Sequence, residues 1–149
     1  MILKIGNIFD SENKLDFIGI TTNSKLNNKG HLIMGAGNAK QAKEICPELP
    51  VVFGKQILNT CGDLGFYGLL KHENYFALQT KYHWRDKSPI ELVNRSIYKL
   101  RLSSLKHPDK VFGIPFPAIN HGKLKEEDVL PLLETLPDNV IVFKLPVKE

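Results

Sequence analysis

Met34-Gly35-Ala36-Gly37-Asn38-Ala39 leads directly into Lys40-Gln41-Ala42-Lys43-Glu44-Ile45-Cys46. The second segment is built from strong helix formers, with apolar residues at 39, 42, 45 and 46, so a helix is expected there. Pro47 and Pro50 are expected to stop it. The first segment is then a loop that opens a helix. Its two glycines permit positive φ and let a ligand approach the backbone closely. Successive N–H groups at such a junction form a nest for an anion, and the helix N-terminus adds to it. The segment is not a dinucleotide fingerprint, which would place a third glycine where Lys40 stands. No Gly-Lys-Ser/Thr follows, so it is not a P-loop either. By itself the segment is equally a tight helix entry.

Reading outward, strands are expected at 2–9 and 16–22, with a polar turn between them and an Asn-, Lys- and Gly-rich loop at 23–30. Further strands are expected at 51–57, 65–70 and 75–80. Ser88-Pro89-Ile90-Glu91 predicts a helix capped by Ser88, with Pro89 in its first position. Leu92, Val93, Ile97, Leu100 and Leu105 then form one apolar face. A strand at 111–115, a loop at 116–123, a helix at 126–136 and a strand at 139–145 complete the chain. Strands alternating with helices predict a layered α/β domain. The extra strands between the first two helices argue against a simple repeated βαβ unit.

Two more loops stand out. Pro115 to Leu124 joins a strand to a helix, as the glycine segment does. In α/β sheets such loops gather at the carboxyl ends of the strands, where ligands bind. Thr80-Lys81-Tyr82-His83-Trp84-Arg85 follows another strand and holds the only Trp. The chain has 149 residues, enough for one domain spanning 1–149, with 42% hydrophobic and 24% charged residues. Its 20 Lys and Arg against 16 Asp and Glu give +4. From Lys71 to Lys110, nine basic residues face four acidic ones, so the excess sits around the Lys81 loop. That segment, with Tyr82 and Trp84, leaves a nucleic-acid-binding module open as a rival reading. No apolar run is long enough to span a bilayer. The two cysteines, Cys46 and Cys61, read as reduced thiols of a cytoplasmic protein. Neither belongs to a Cys-x-x-Cys or a nearby His ligand set, so no metal site is expected.

Taken together, these segments resemble the macro domain, the ADP-ribose-binding α/β/α fold. Lys4-Ile5-Gly6-Asn7-Ile8-Phe9 resembles the family's opening Gly-Asp-Ile or Gly-Asp-Leu-Phe signature. Ile20-Thr21-Thr22-Asn23 falls where the family has an Asn-ending second strand. Ile33 to Ala39 resembles the Val-Met-Gly-x-Gly-x-Ala loop of one branch, which includes hydrolases that remove ADP-ribose from protein glutamates or from DNA. Gln79-Thr80-Lys81 resembles the Thr-Lys strand end of those hydrolases, and Pro117 to Glu126 resembles their last loop.

The resemblance implies a three-layer α/β/α domain with a central mixed sheet. It implies ADP-ribose or a derivative as ligand and possible hydrolysis of an ADP-ribosyl bond or of ADP-ribose 1''-phosphate. A non-catalytic reader is the alternative. It implies Asn7 and Ile8 at adenine, with Gly35, Ala36, Gly37, Asn38, Ala39, Ala118, Ile119, Asn120 and Gly122 around the diphosphate. Met34, Thr22 and Pro117 are expected beside them. Asn23 and Lys81 are expected at the distal ribose, and His83, Trp84 and Arg85 at the outer rim. Lys81 is the implied nucleophile; otherwise His121 or His83 serves as acid or base in hydrolysis of a 1''-phosphate or ester. No cofactor or metal is implied, and nucleic acid enters only as a modified substrate. Two departures stand out: Asn7 replaces the family's adenine-binding Asp, and the catalytic Asp of the hydrolases aligns with Lys125.

Overall fold

The computed structural model describes residues 1–146. Ten elements follow in order: β1 (Ile2–Ile5), β2 (Phe17–Thr22), α1 (Gly37–Ile45), α2 (Leu49–Thr60), β3 (Leu69–His72), β4 (Tyr75–Gln79), α3 (Ile90–Lys106), β5 (Phe112–Pro115), α4 (Glu126–Leu133) and β6 (Val140–Lys144). The strands form one sheet in the order β1-β6-β5-β2-β4-β3. Only the β3–β4 hairpin pairs antiparallel; the other four pairings are parallel. The sheet is therefore mixed, as expected.

Helices cover both faces. Ala42 of α1 and Leu49, Phe53 and Ile57 of α2 bury one face together with Ile20 and Ala77. Val93, Ile97 and Leu100 of α3 and Val129 and Leu133 of α4 bury the other with Phe76, Ile114 and Val142. Neighbouring residues of β4, Phe76 and Ala77, fall in opposite clusters because side chains alternate across a strand. The three-layer arrangement follows.

Several sequence expectations are corrected. Residues 51–57 are not a strand: they lie inside α2. Leu49, Phe53 and Ile57 recur every four residues and are fully buried, a helical period that the β-branched Val51 and Val52 obscure. Pro50 stands at the helix start, where its missing N–H costs nothing, so it opens a helix as well as excluding one. The first strand ends at Ile5 and the strand expected at 65–70 runs from Leu69 to His72. Ser88 does not cap α3. Pro89 occupies the cap position in extended backbone, while the Ser88 N–H donates to the Gly122 carbonyl at 2.9 Å. Leu105 is 51% exposed, and Ser104 takes the buried position of that turn. The helix expected at 126–136 ends at Leu133.

Candidate functional site

The parallel strands β1, β6, β5, β2 and β4 end on the same side of the sheet, and a cleft of about 1180 Å³ opens there. The β2–β5 ladder stops after Phe17 and Ile18, which pair with Phe112 and Gly113. Beyond that point β2 has backbone groups facing a partner that is no longer there. Asn38 supplies the bonds instead. Its Nδ2 donates to the Gly19 carbonyl at 3.1 Å. Its Oδ1 accepts from the Thr21 N–H and the Thr21 hydroxyl, both at 3.2 Å. Buried peptide groups must find partners, so this side chain lets the sheet split without penalty and pins α1 to β2. The loop after β2 leaves toward the α1–α2 layer and the loop after β5 toward the α3–α4 layer. The cleft lies between them, at a switch point of the strand order.

One wall is the glycine segment. Gly37 adopts φ +58, a left-handed conformation that its lack of a Cβ permits. Gly35 has nothing within 4 Å of its would-be Cβ, so its role is to leave space. α1 has no side-chain cap and no acidic residue in its first turn. Its first N–H groups and the positive end of its dipole are therefore open to an anion. The contrast with α4 is clear: Glu126, Glu127 and Asp128 fill that first turn, and Glu126 bonds Lys144 at 2.6 Å.

The opposite wall is the 116–123 loop. Ala118 and Lys123 have positive φ, +69 and +60, and the Ala118 carbonyl accepts from the Leu124 N–H. The His121 ring lies 3.8 Å from where a Gly37 Cβ would be, so the two loops approach across the cleft.

Lys81 forms the floor at the end of β4. It is only 8% exposed. Its Nζ donates to the His121 carbonyl at 2.8 Å and to the Trp84 carbonyl at 3.1 Å. Burial pulls its pKa below the usual lysine range, Lys123 adds to that, and Asp86 opposes it. A neutral amine has two N–H bonds and one lone pair, so both carbonyls stay satisfied when the proton leaves. The sign of the linkage is fixed: the folded state binds fewer protons than the unfolded one between the depressed value and about 10.5. The stability of the protein relative to a Lys81→Met variant is therefore expected to rise with pH across that window. Urea unfolding of both proteins at several pH values checks this.

The structure brings Asn7, Ile8, Thr22, Asn23, residues 34–39, Lys81, Ala118, Ile119, Asn120, His121 and Gly122 along this one cleft. Trp84 and Arg85 line it too, but His83 and Pro117 do not. His83 instead accepts the Arg85 N–H on Nδ1 at 3.2 Å. Four of the expected ligand residues are already engaged, Asn38 with β2 among them. The Asn23 amide donates to the Ile33 carbonyl and accepts from the Lys25 N–H, so it holds the loop after β2 in shape. The Thr22 hydroxyl bonds Tyr67 Oη, which itself donates to the Asn23 carbonyl at 2.6 Å. Asn7 Oδ1 accepts the Phe9 N–H at 2.9 Å.

Sequence reasoning missed Gln41, Lys123 and Lys144 on the cleft. Lys123 follows Gly122 and is legible as a cation, but only the fold brings it onto the same cleft as Lys81. Four cations line the cleft, Lys81, Arg85, Lys123 and Lys144, and no Asp or Glu does among the described residues. Other cations of the 71–110 segment are spent elsewhere: Lys71 lies over Phe17, and Arg95 over Phe66 at 3.7 Å. Cys46 and Cys61 are free thiols. No helix among the described residues is long and apolar enough to cross a membrane.

No protein-family model matches the sequence, and no curated protein does. Solved structures do match. The chain is similar to Thermosipho africanus DarTG in complex with ADP-ribose, with a TM-score of 0.75 and 21% identity over 99% of this chain and 42% of that one. The macrodomain of Thermus aquaticus DarG gives 0.74 and 21%, covering 98% of this chain and 99% of that one. A Trypanosoma brucei macrodomain in complex with ADP-ribose gives 0.52 and 15%, covering 96% and 62%. The chain thus spans under half of the Thermosipho protein. At these identities the likeness is one of fold.

Proposed function

We propose that this chain, a macrodomain by fold, binds ADP-ribose or a derivative of it in the cleft between the 34–39 and 116–123 loops. The observation that carries this reading is the pairing of an uncapped helix N-terminus and a facing loop with Lys81 at the cleft floor, in a lining that holds Lys81, Arg85, Lys123 and the Glu126-paired Lys144 and no Asp or Glu among the described residues. The fold neighbours from Thermosipho and Trypanosoma hold ADP-ribose. The diphosphate lies along the 35–38 backbone at the start of α1, where N–H groups meet it, with the 118–122 loop facing it. Adenine meets Ile8 and Asn7. Because Asn7 Oδ1 is engaged by Phe9, its Nδ2 is the free group and donates to a ring nitrogen. The distal ribose reaches Lys81.

In the hydrolytic form of this reading, Lys81 acts as a nucleophile at that ribose. The neutral amine keeps its two bonds to carbonyls and directs its lone pair at the anomeric carbon. A C–N bond forms as the bond from that carbon to the attached group breaks; the group leaves with the electron pair and takes up a proton. Water then releases ADP-ribose and restores the amine. The second reading, a binder without turnover, is favoured by one feature: Lys81 has no carboxylate partner among the described residues, and Glu126, the nearest acid in sequence to the family's Asp, is paired with Lys144.

Calorimetry with ADP-ribose tests the binding. Saturable binding is expected, and no heat at millimolar ligand overturns the reading. Release of ADP-ribose from modified nucleic acid, protein or the 1''-phosphate then decides between the two forms. Turnover that Lys81→Met abolishes supports the nucleophile, and full turnover by that variant excludes it.

A further inference from the structure

On the side of the α1–α2 layer away from the cleft, two chain segments meet. Cys46 follows α1, Glu48 precedes α2, and His72 and Glu73 form the corner of the β3–β4 hairpin. His72 Nε2 lies 3.2 Å from Glu48 Oε2. One donor atom from each of Glu48, His72 and Glu73 lies within 4.8 Å of the others. Cys46 Sγ is 3.5 Å from the other Glu48 oxygen, Oε1. We propose that Glu48, His72 and Glu73, with Cys46 in the fourth position, form a binding site for a divalent transition metal with the preferences of zinc.

The donor chemistry selects the metal. An imidazole, a thiol and two carboxylates suit zinc or cobalt, whereas calcium and magnesium ask for oxygen alone. Around a tetrahedral ion with bonds of about 2.0–2.3 Å, neighbouring donors sit roughly 3.3–3.7 Å apart. The His72–Glu48 separation of 3.2 Å is already close to that size, whereas Cys46 stands 3.5 Å from the other Glu48 oxygen and is not one of the three donors within 4.8 Å. Glu73 and Cys46 close in by side-chain rotation, which Glu73 is free to make because it is exposed and has no ion-pair partner among the described residues.

A divalent ion takes the thiol as thiolate, so its binding releases the thiol proton. The site would tie the C-terminal end of α1, whose other end heads the cleft, to the β3–β4 hairpin. No residue of the cleft lining takes part.

Spacing along the chain hides this arrangement, since 26 residues separate Cys46 from His72. The test is titration of chelator-treated protein with Co²⁺. Saturation at one equivalent is expected, with the strong visible bands of four-coordinate cobalt and a near-ultraviolet thiolate band. His72→Ala and Glu73→Gln are expected to weaken uptake at least about tenfold, and Cys46→Ser to remove the thiolate band. His72 is only half-buried and Glu73 exposed, so both variants are expected to melt like the metal-free wild type. No saturable uptake up to about 100 µM cobalt, or unchanged uptake in both variants, overturns the proposal.

Discussion

Gly37→Val is expected to weaken ADP-ribose binding at least about a hundredfold, close to 3 kcal/mol, while the domain still folds. Two effects act at one residue. The φ of +58 is a conformation that β-branched side chains almost never adopt, so either the backbone turns or strain of about 1–2 kcal/mol is retained. The new Cβ already stands in van der Waals contact with the His121 ring, at 3.8–4.0 Å, so the added methyl groups crowd the face of the loop along which the diphosphate is proposed to lie. Gly35→Ala is the control. Nothing lies within 4 Å of its Cβ, so the free protein keeps its stability. Calorimetry on both variants, alongside thermal melting, separates strain from occlusion. If Gly37→Val binds ADP-ribose like wild type, the diphosphate does not run between these loops.

Gln79→Leu is expected to cost about 4 kcal/mol of stability and to lower the melting temperature by roughly 10–15 °C. Gln79 is fully buried at the end of β4. Its Oε1 accepts from the Tyr67 N–H at 2.9 Å and the Gly68 N–H at 3.1 Å. Its Nε2 donates to Ser24 Oγ and to the Gly65 and Lys81 carbonyls, at 3.2, 3.0 and 3.1 Å. Leucine has a similar volume but leaves two buried N–H donors and at least one carbonyl without a partner, at about 1–3 kcal/mol each. Because one of the five bonds holds the Lys81 carbonyl, the variant should also loosen the cleft floor. Urea and thermal unfolding check the magnitude. A loss under about 1 kcal/mol would mean that water replaces the amide and that the network contributes little.

Local grammar made some of the site legible. A glycine pair before a run of helix formers marks an open helix N-terminus wherever the chain goes, because the geometry is set by adjacent residues. The lysine at a strand end in Thr80-Lys81 was legible for the same reason, since parallel strand ends converge. Val51 to Ile57 was misread because β-branched residues mask a helical period when the window is short. Ser88 was misread because a cap depends on whether another segment claims the residue, and the 116–123 loop does.

Other features needed the whole fold. Nothing adjacent to Asn38 in sequence announces that it replaces a missing strand partner for Gly19 and Thr21. Asn23 reads as a ligand contact from sequence, yet its amide is spent on Ile33 and Lys25. Whether a polar side chain is free or engaged is a question of distant neighbours.

The sequence by itself determined the layered α/β class, the glycine loop at a helix start, and a positive excess centred on the Lys81 loop. These follow from periodicity, turn chemistry and charge, which act over a few residues. The tertiary structure decided where the sheet splits, that Lys81 faces two carbonyls rather than a carboxylate, and that Glu48 meets His72 and Glu73. Those depend on strand order and helix placement, set by burying two apolar clusters on opposite faces of one sheet. That burial brings together residues whose separation along the chain carries no trace of the contact.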